Sequence, residues 1–193
     1  SDTMIERSAF AQDRPVVVFM GRLTAQKGAP YFLALASQVL RRLPEALFVV
    51  AGDGDMYHEL LFSTAFQRLS ASVLFSGFVR DTQRDKLLDR ADVFVMPSLS
   101  EPFGLVALEA AQRHTPVIIS KNAGVSEVLP NATALDFWDL NKMTDAIVSL
   151  VSDQQLATGV VHGQLRDLSQ VTWANTAKQL RQTYSRALFG QHN

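Results

Sequence analysis

No cysteine occurs among the 193 residues, which removes disulfides and thiol chemistry and agrees with a reducing compartment. An excess of either charge is also missing. Eighteen Lys and Arg stand against nineteen Asp and Glu, so no global field favours nucleic acid or anionic lipid, and any anion binding has to be local. No apolar run approaches the roughly 20 residues of a membrane span. The four histidines, His58, His114, His162 and His192, lack metal-ligand spacing, and no Gly-x-Ser-x-Gly elbow is present. The usual metal and nucleophile constellations are therefore absent. Ser1 to Arg14 lack the apolar core of a secretion signal and read as a polar leader or an artificial boundary. Without such a signal, the sequon Asn131-Ala132-Thr133 reads as chance.

What is present describes one packed domain, residues 15–193. Hydrophobic residues make up 47% and charged residues 19%, enough apolar material for a sizeable core. Short apolar runs at Val16 to Met20, Leu47 to Ala51, Val73 to Phe75, Val93 to Met96, Val117 to Ser120 and Ala134 to Phe137 each end in glycine, proline or polar residues. Between the first two, Phe32, Leu35, Ala36, Val39, Leu40 and Leu43 recur at helical spacing. Further helical segments follow at Asp55 to Leu69, Asp81 to Ala91, Gly104 to Arg113 and Asp139 to Val151. Strands alternating with helices predict an α/β, Rossmann-like, doubly wound parallel sheet of about six strands. After Ser152 only helix is expected, including a stripe of Trp173, Ala177, Leu180, Tyr184 and Leu188 capped by Thr172.

Three strand-end segments carry candidate chemistry. Gly21-Arg22-Leu23-Thr24-Ala25-Gln26-Lys27-Gly28 follows the first strand and places a planar fork and a point charge where one diphosphate could meet both; the alternative is a solvated loop. Its spacing is not that of a P-loop. After the second strand, Gly52-Asp53-Gly54-Asp55 lacks the third glycine of a dinucleotide fingerprint. The segment reads as tight-turn glycines with Asp55 as helix N-cap, in preference to a cation site on the two aspartates. Phe78 and Val79, after Gly77, offer either a surface for a flat heterocycle or core.

The most informative stretch runs from Ser98 to Ala110. Glu101 precedes Pro102-Phe103-Gly104, and Glu109 lies inside the helix that Gly104 opens. A glycine at a helix start lets an anion approach unpaired amides. Glu109 sits in a run too apolar for an outer face, so it needs a partner, and hydroxyls of a ribose or hexose would serve. The alternative is an ordinary solvated helix glutamate.

In this combination and order, these residues resemble the C-terminal, donor-binding domain of family 4, GT-B type, retaining glycosyltransferases (glycosyl transferases group 1), over roughly Val16 to Leu188. The resemblance implies that Arg22 and Lys27 bind a donor diphosphate, with Glu101 the third catalytic residue, on sugar hydroxyls and transition-state charge. It gives Glu109 to the ribose and places Phe78 and Val79 beside the base. Gly21, Gly52, Gly54, Ser98, Phe103, Gly104 and Leu105 complete the expected donor site. No metal or other cofactor is expected, the nucleoside-diphosphate sugar being the co-substrate.

Two departures stand out. Where the family often has Gly-Gly-x-x-Glu, this chain has Asn122-Ala123-Gly124-Val125-Ser126-Glu127, so only Gly124 and Glu127 match. Ala134 to Trp138 replaces the frequent Gly-x-Leu-Val strand. The resemblance further implies that the N-terminal acceptor domain is absent, that this fragment alone is inactive, that any peripheral membrane contact belongs to that missing domain, and that the enzyme is cytoplasmic. A non-catalytic nucleotide-sugar-binding module and a GT-B epimerase or phosphorylase-like enzyme are the alternatives.

Overall fold

A computed structural model describes residues 14–171 and residue 181. The Trp173 to Leu188 stripe, its Thr172 cap and residues 1–13 lie outside the described residues. Six parallel strands, β1 (Val16–Met20), β2 (Leu47–Ala51), β3 (Val73–Gly77), β4 (Val93–Met96), β5 (Val117–Ser120) and β6 (Thr133–Leu135), form one sheet in the order β3-β2-β1-β4-β5-β6. The helices are α1 (Ala29–Val39), α2 (Tyr57–Phe66), α3 (Asp81–Arg90), α4 (Leu105–Gln112), α5 (Leu140–Ser152) and α6 (Gln154–Gln170), with a 3-10 turn at Gly124–Glu127.

The sheet is covered on both faces, which is why its central strands are continuous apolar runs with no polar alternation. On one face Val17, Phe19, Phe48, Val50, Val95 and Ile118 pack beneath α1, α2 and α5. On the other, Val18, Val49, Phe94 and Ile119 meet Leu87 and Leu88 of α3 and Ala107, Ala110 and Ala111 of α4. Helix α6 joins the two layers, sending Ala157 and Val160 to the first and Leu168 to the second. Phe32 anchors the α1 layer, with ring centroids 5.5 Å from Phe19 and 5.4 Å from Phe48.

Four strands occupy the residues expected, and the two edge strands differ. β3 continues to Gly77, with Ala51 pairing Gly77 across a register shift. β6 stops at Leu135, because the chain turns at Asp136, whose carbonyl accepts from Asp139 N. The apolar Phe137-Trp138 pair lies in that turn, Phe137 edge-on to Tyr31 at 5.3 Å. Asp55 is not the N-cap of α2. The helix starts two residues later, and Asp53 Oδ1 accepts from Gly54 N inside the turn. Leu40 and Leu43 pack on the core from the turn after α1, not from the helix. Among the described residues, no helix is long and apolar enough to cross a membrane.

Because Phe32 is fully buried between two other rings, Phe32→Ala is expected to lower unfolding stability by about 3–5 kcal/mol. Denaturant titration checks this; a loss under about 1 kcal/mol would show that the ring cluster does not hold α1 to the sheet.

Candidate functional site: two joined cavities at the switch point

Strand β1 lies between β2 and β4, so the chain leaves the sheet in opposite directions on either side of it and opens a crevice at the carboxyl ends. The loops there are drawn together through glycines. Gly28 has φ +80°, and a β-carbon on it would lie 2.0 Å from the carbonyl oxygen of Pro97. Gly52 has φ +143°, and its β-carbon would lie 1.9 Å from that of Gly21. Leu99 N donates to Gln26 O at 2.9 Å and Ser98 Oγ to Lys27 O at 3.3 Å, tying the loop after β4 to the loop after β1. Gly124 N donates to Glu101 O at 2.9 Å, and a β-carbon on Gly124 would strike Pro102 O. That is the structural reason for a glycine there: the 3-10 turn supports the Glu101 loop.

Two cavities of about 310 and 450 Å³ open side by side, sharing Met20, Gly21, Arg22 and Val106. The smaller is bounded by Gly52, Asp53, Phe78, Val79, Arg84 and Glu109. Phe78 is 64% exposed, with the Arg80 guanidinium 4.8 Å from its ring centroid. The larger is bounded by Lys27, Ser98, Glu101, Phe103, Gly104 and Leu105, together with Phe19, Met96 and Pro102. Gly104, at φ +96°, caps α4 without a side-chain hydrogen bond, leaving first-turn amides at this wall.

Of the thirteen site residues expected from sequence, twelve therefore line one or both cavities. Gly54 does not. Its missing side chain serves packing, since a β-carbon would lie 2.6 Å from Leu23 O.

Both carboxylates already hold a cation. Lys27 Nζ donates to Glu101 Oε2 at 2.5 Å, with the two side chains 30% and 12% exposed. Arg84 Nη1 donates to Glu109 Oε1 at 3.0 Å. Glu109 is half-buried, with its side chain 34% exposed, and its partner is an arginine of α3 that the sequence pattern did not point to. Arg84 stands in a helix so charged that it looks wholly solvated, and only the packing of α3 against α4 brings it to the cavity. A hydrogen bond to Asp85 raises the Arg84 pKa above its ordinary value, against the loss of solvation and with help from Glu109, Asp85 and Asp81. Among the described residues no three His, Cys, Asp or Glu gather as a metal site requires.

A model of the family described as glycosyl transferases group 1 matches residues 1–159, and the chain belongs to that family. It is 35% identical over 182 residues, 91% of its length, to an uncharacterised glycosyltransferase of Methanocaldococcus jannaschii, covering 46% of that protein. The chain thus spans about half the length of the curated relatives it matches. Among solved structures, Anabaena HepE in complex with UDP and glucose superposes with a TM-score of 0.79 at 22% identity, over 95% of this chain and 51% of HepE. The C-terminal domain of the Francisella tularensis group 1 protein LpcC superposes with a TM-score of 0.75 at 22% identity, over 89% of this chain and 92% of that domain. The fold is one Rossmann-like half of a GT-B glycosyltransferase.

The close approach of Gly52 to Gly21 yields a stability test. Gly52→Ala adds a β-carbon at an unfavourable φ and against backbone, so a cost of at least about 1–3 kcal/mol is expected, a fall in Tm of roughly 3–10 °C. A thermal unfolding curve unchanged within about 1 °C would contradict this loop geometry.

Proposed function

We propose that this chain is the donor-binding half of a cytoplasmic, metal-independent, retaining glycosyltransferase. In this reading, the enzyme moves a hexosyl unit from a nucleoside-diphosphate sugar to a glycan, lipid or small-molecule acceptor. The acceptor-binding half comes from sequence outside this chain, and the chain alone is inactive. The observation that carries the reading is the division of labour between the joined cavities. The smaller has an exposed aromatic ring and a carboxylate, which suits a base and a ribose; the larger has a cation, a carboxylate and an uncapped helix start, which suits a diphosphate and a sugar. Arg22 and Gly21 lie where the two meet, as a diphosphate would. HepE, half of which shares this fold, has been solved in complex with UDP and glucose.

The chemistry follows from charge. As the bond between the anomeric carbon and the β-phosphate oxygen breaks, negative charge grows on the departing diphosphate. Arg22, Lys27 and the first-turn amides of α4 stabilise that charge without a metal. Lys27 reaches the phosphate by leaving Glu101, and the freed Glu101 carboxylate accepts from sugar hydroxyls and faces the positive charge that develops on the sugar ring. Phe78 and Val79 lie against the base, and Glu109 receives the ribose diol. Gly21, Gly52 and Gly104 let backbone approach the ligand, Ser98 keeps the Lys27 loop in place, and Phe103 and Leu105 wall the sugar side.

Amide spectra of this chain titrated separately with UDP, GDP and ADP are expected to shift at Gly21 to Gly28, Phe75 to Val79 and Ser98 to Glu109 with one of the three. Silence with all would remove the donor-site reading. In the complete enzyme, Arg22→Ala is expected to cut kcat/KM more than tenfold, a loss above about 1.4 kcal/mol. A change within threefold would take Arg22 out of the clamp, and nucleotide binding without any transferase activity would favour a binding module.

A further inference from the structure

The Arg84–Glu109 pair is more than a neutralised carboxylate, because Arg84 is held from behind. Its Nε and Nη2 donate to Asp85 Oδ1 at 3.2 and 3.0 Å while Nη1 reaches Glu109. Asp85 Oδ2 in turn accepts from Arg113, which also donates to Asp89. The row Glu109, Arg84, Asp85, Arg113, Asp89 therefore alternates in sign and crosses between α4 and α3. Glu109 on α4 and Arg113 at its C-cap stand one turn apart, as do Asp85 and Asp89 on α3. This row fixes the guanidinium independently of anything in the cavity.

The consequence concerns the carboxylate. Arg84 takes a single lone pair of Oε1; among the described residues no other donor reaches Glu109, so Oε2 and the second lone pair of Oε1 remain for a ligand. A direct phosphate role for Arg84 fits less well. It shares the smaller cavity with Phe78 while Lys27 and Glu101 bound the other, and two carboxylates already meet its charge.

Resting on the donor-site reading above, we propose that Arg84 is a positioning residue for ribose recognition: anchored by Asp85, it orients the Glu109 carboxylate toward the vicinal ribose hydroxyls. Arg84 bounds the same cavity, but its effect on the ribose is exerted through Glu109. Selectivity for ribose over a sugar lacking those hydroxyls thus depends on a residue that acts through Glu109.

The test is calorimetric and uses whichever of UDP, GDP and ADP the wild-type chain binds, alongside its 2′,3′-dideoxy counterpart. Wild type is expected to prefer the ribonucleotide at least tenfold. Arg84→Leu is expected to weaken the ribonucleotide fivefold to twentyfold while leaving the dideoxy form within twofold, so that selectivity collapses. Asp85→Asn, which loosens the rear anchor and retains Arg84, is expected to lose part of the same selectivity and serves if the leucine variant does not fold. An equal loss for both nucleotides in Arg84→Leu would overturn the proposal, assigning Arg84 to the base, the phosphates or the fold. Tighter ribonucleotide binding would overturn it too, making the pair an obstruction. Failure of wild type to bind any of the three diphosphates would instead bring down the donor-site reading, and this inference with it.

Discussion

The site exists because backbone can approach backbone where no β-carbon fits. At Gly28 against Pro97, Gly52 against Gly21 and Gly124 against Pro102, an added carbon would lie 2.0, 1.9 and 2.2 Å from a carbonyl oxygen. Each closure joins loops from different strands, and together they turn the open crevice of a parallel sheet into two walled cavities. Sheet order alone would leave a gap between β1 and β4. The glycines narrow it until main-chain bonds such as Leu99 N to Gln26 O cross it. Side chains placed on such a frame keep their geometry at little further entropic cost.

On this frame the two ion pairs behave differently, and the difference lies in their supports. Lys27 is a compact charge on a flexible stem, partnered by Glu101 and set just before the glycine that opens α1. It can turn from one anion to another with little rearrangement. Arg84 has no such freedom, being forked between Glu109 and Asp85. The two cations are thus held differently, Lys27 by one carboxylate and Arg84 by two.

Most of the fold was legible because its four central strands are buried on both faces, and burial on both faces writes an unbroken apolar run into the sequence. The edge strands were less legible for the same reason. β3 and β6 are only partly buried, so their ends are set by local hydrogen bonds, and Phe137-Trp138 continued the apolar signal into a turn. In the site, residues on strand-end loops declared themselves through glycine and charge. Arg84 did not, because within Asp-Thr-Gln-Arg-Asp-Lys one arginine carries no mark of the helix it will face. Asp55 misled for a related reason: an aspartate beside a helix start suits a cap, but Met56 N bonds to Leu23 O and displaces the start by a residue.

Helix α4 sets the spacing between the two halves of the site. Its uncapped start bounds the larger cavity and Glu109 bounds the smaller, four residues from Leu105, about 6 Å along the axis. That distance belongs to the helix and survives changes in side-chain conformation, so the helix start and the Glu109 position keep a fixed separation. The position of Glu109 around the axis is equally constrained. Its neighbours Leu108 and Ala110 are buried, as are Ala107 and Ala111, and a carboxylate moved by one residue would rotate by about 100° into that core. Small residues on the buried side let α4 lie close to the sheet, which carries Gly104 against Met96 and Val125. Packing beneath the helix therefore determines which position along it can carry a carboxylate into the cavity.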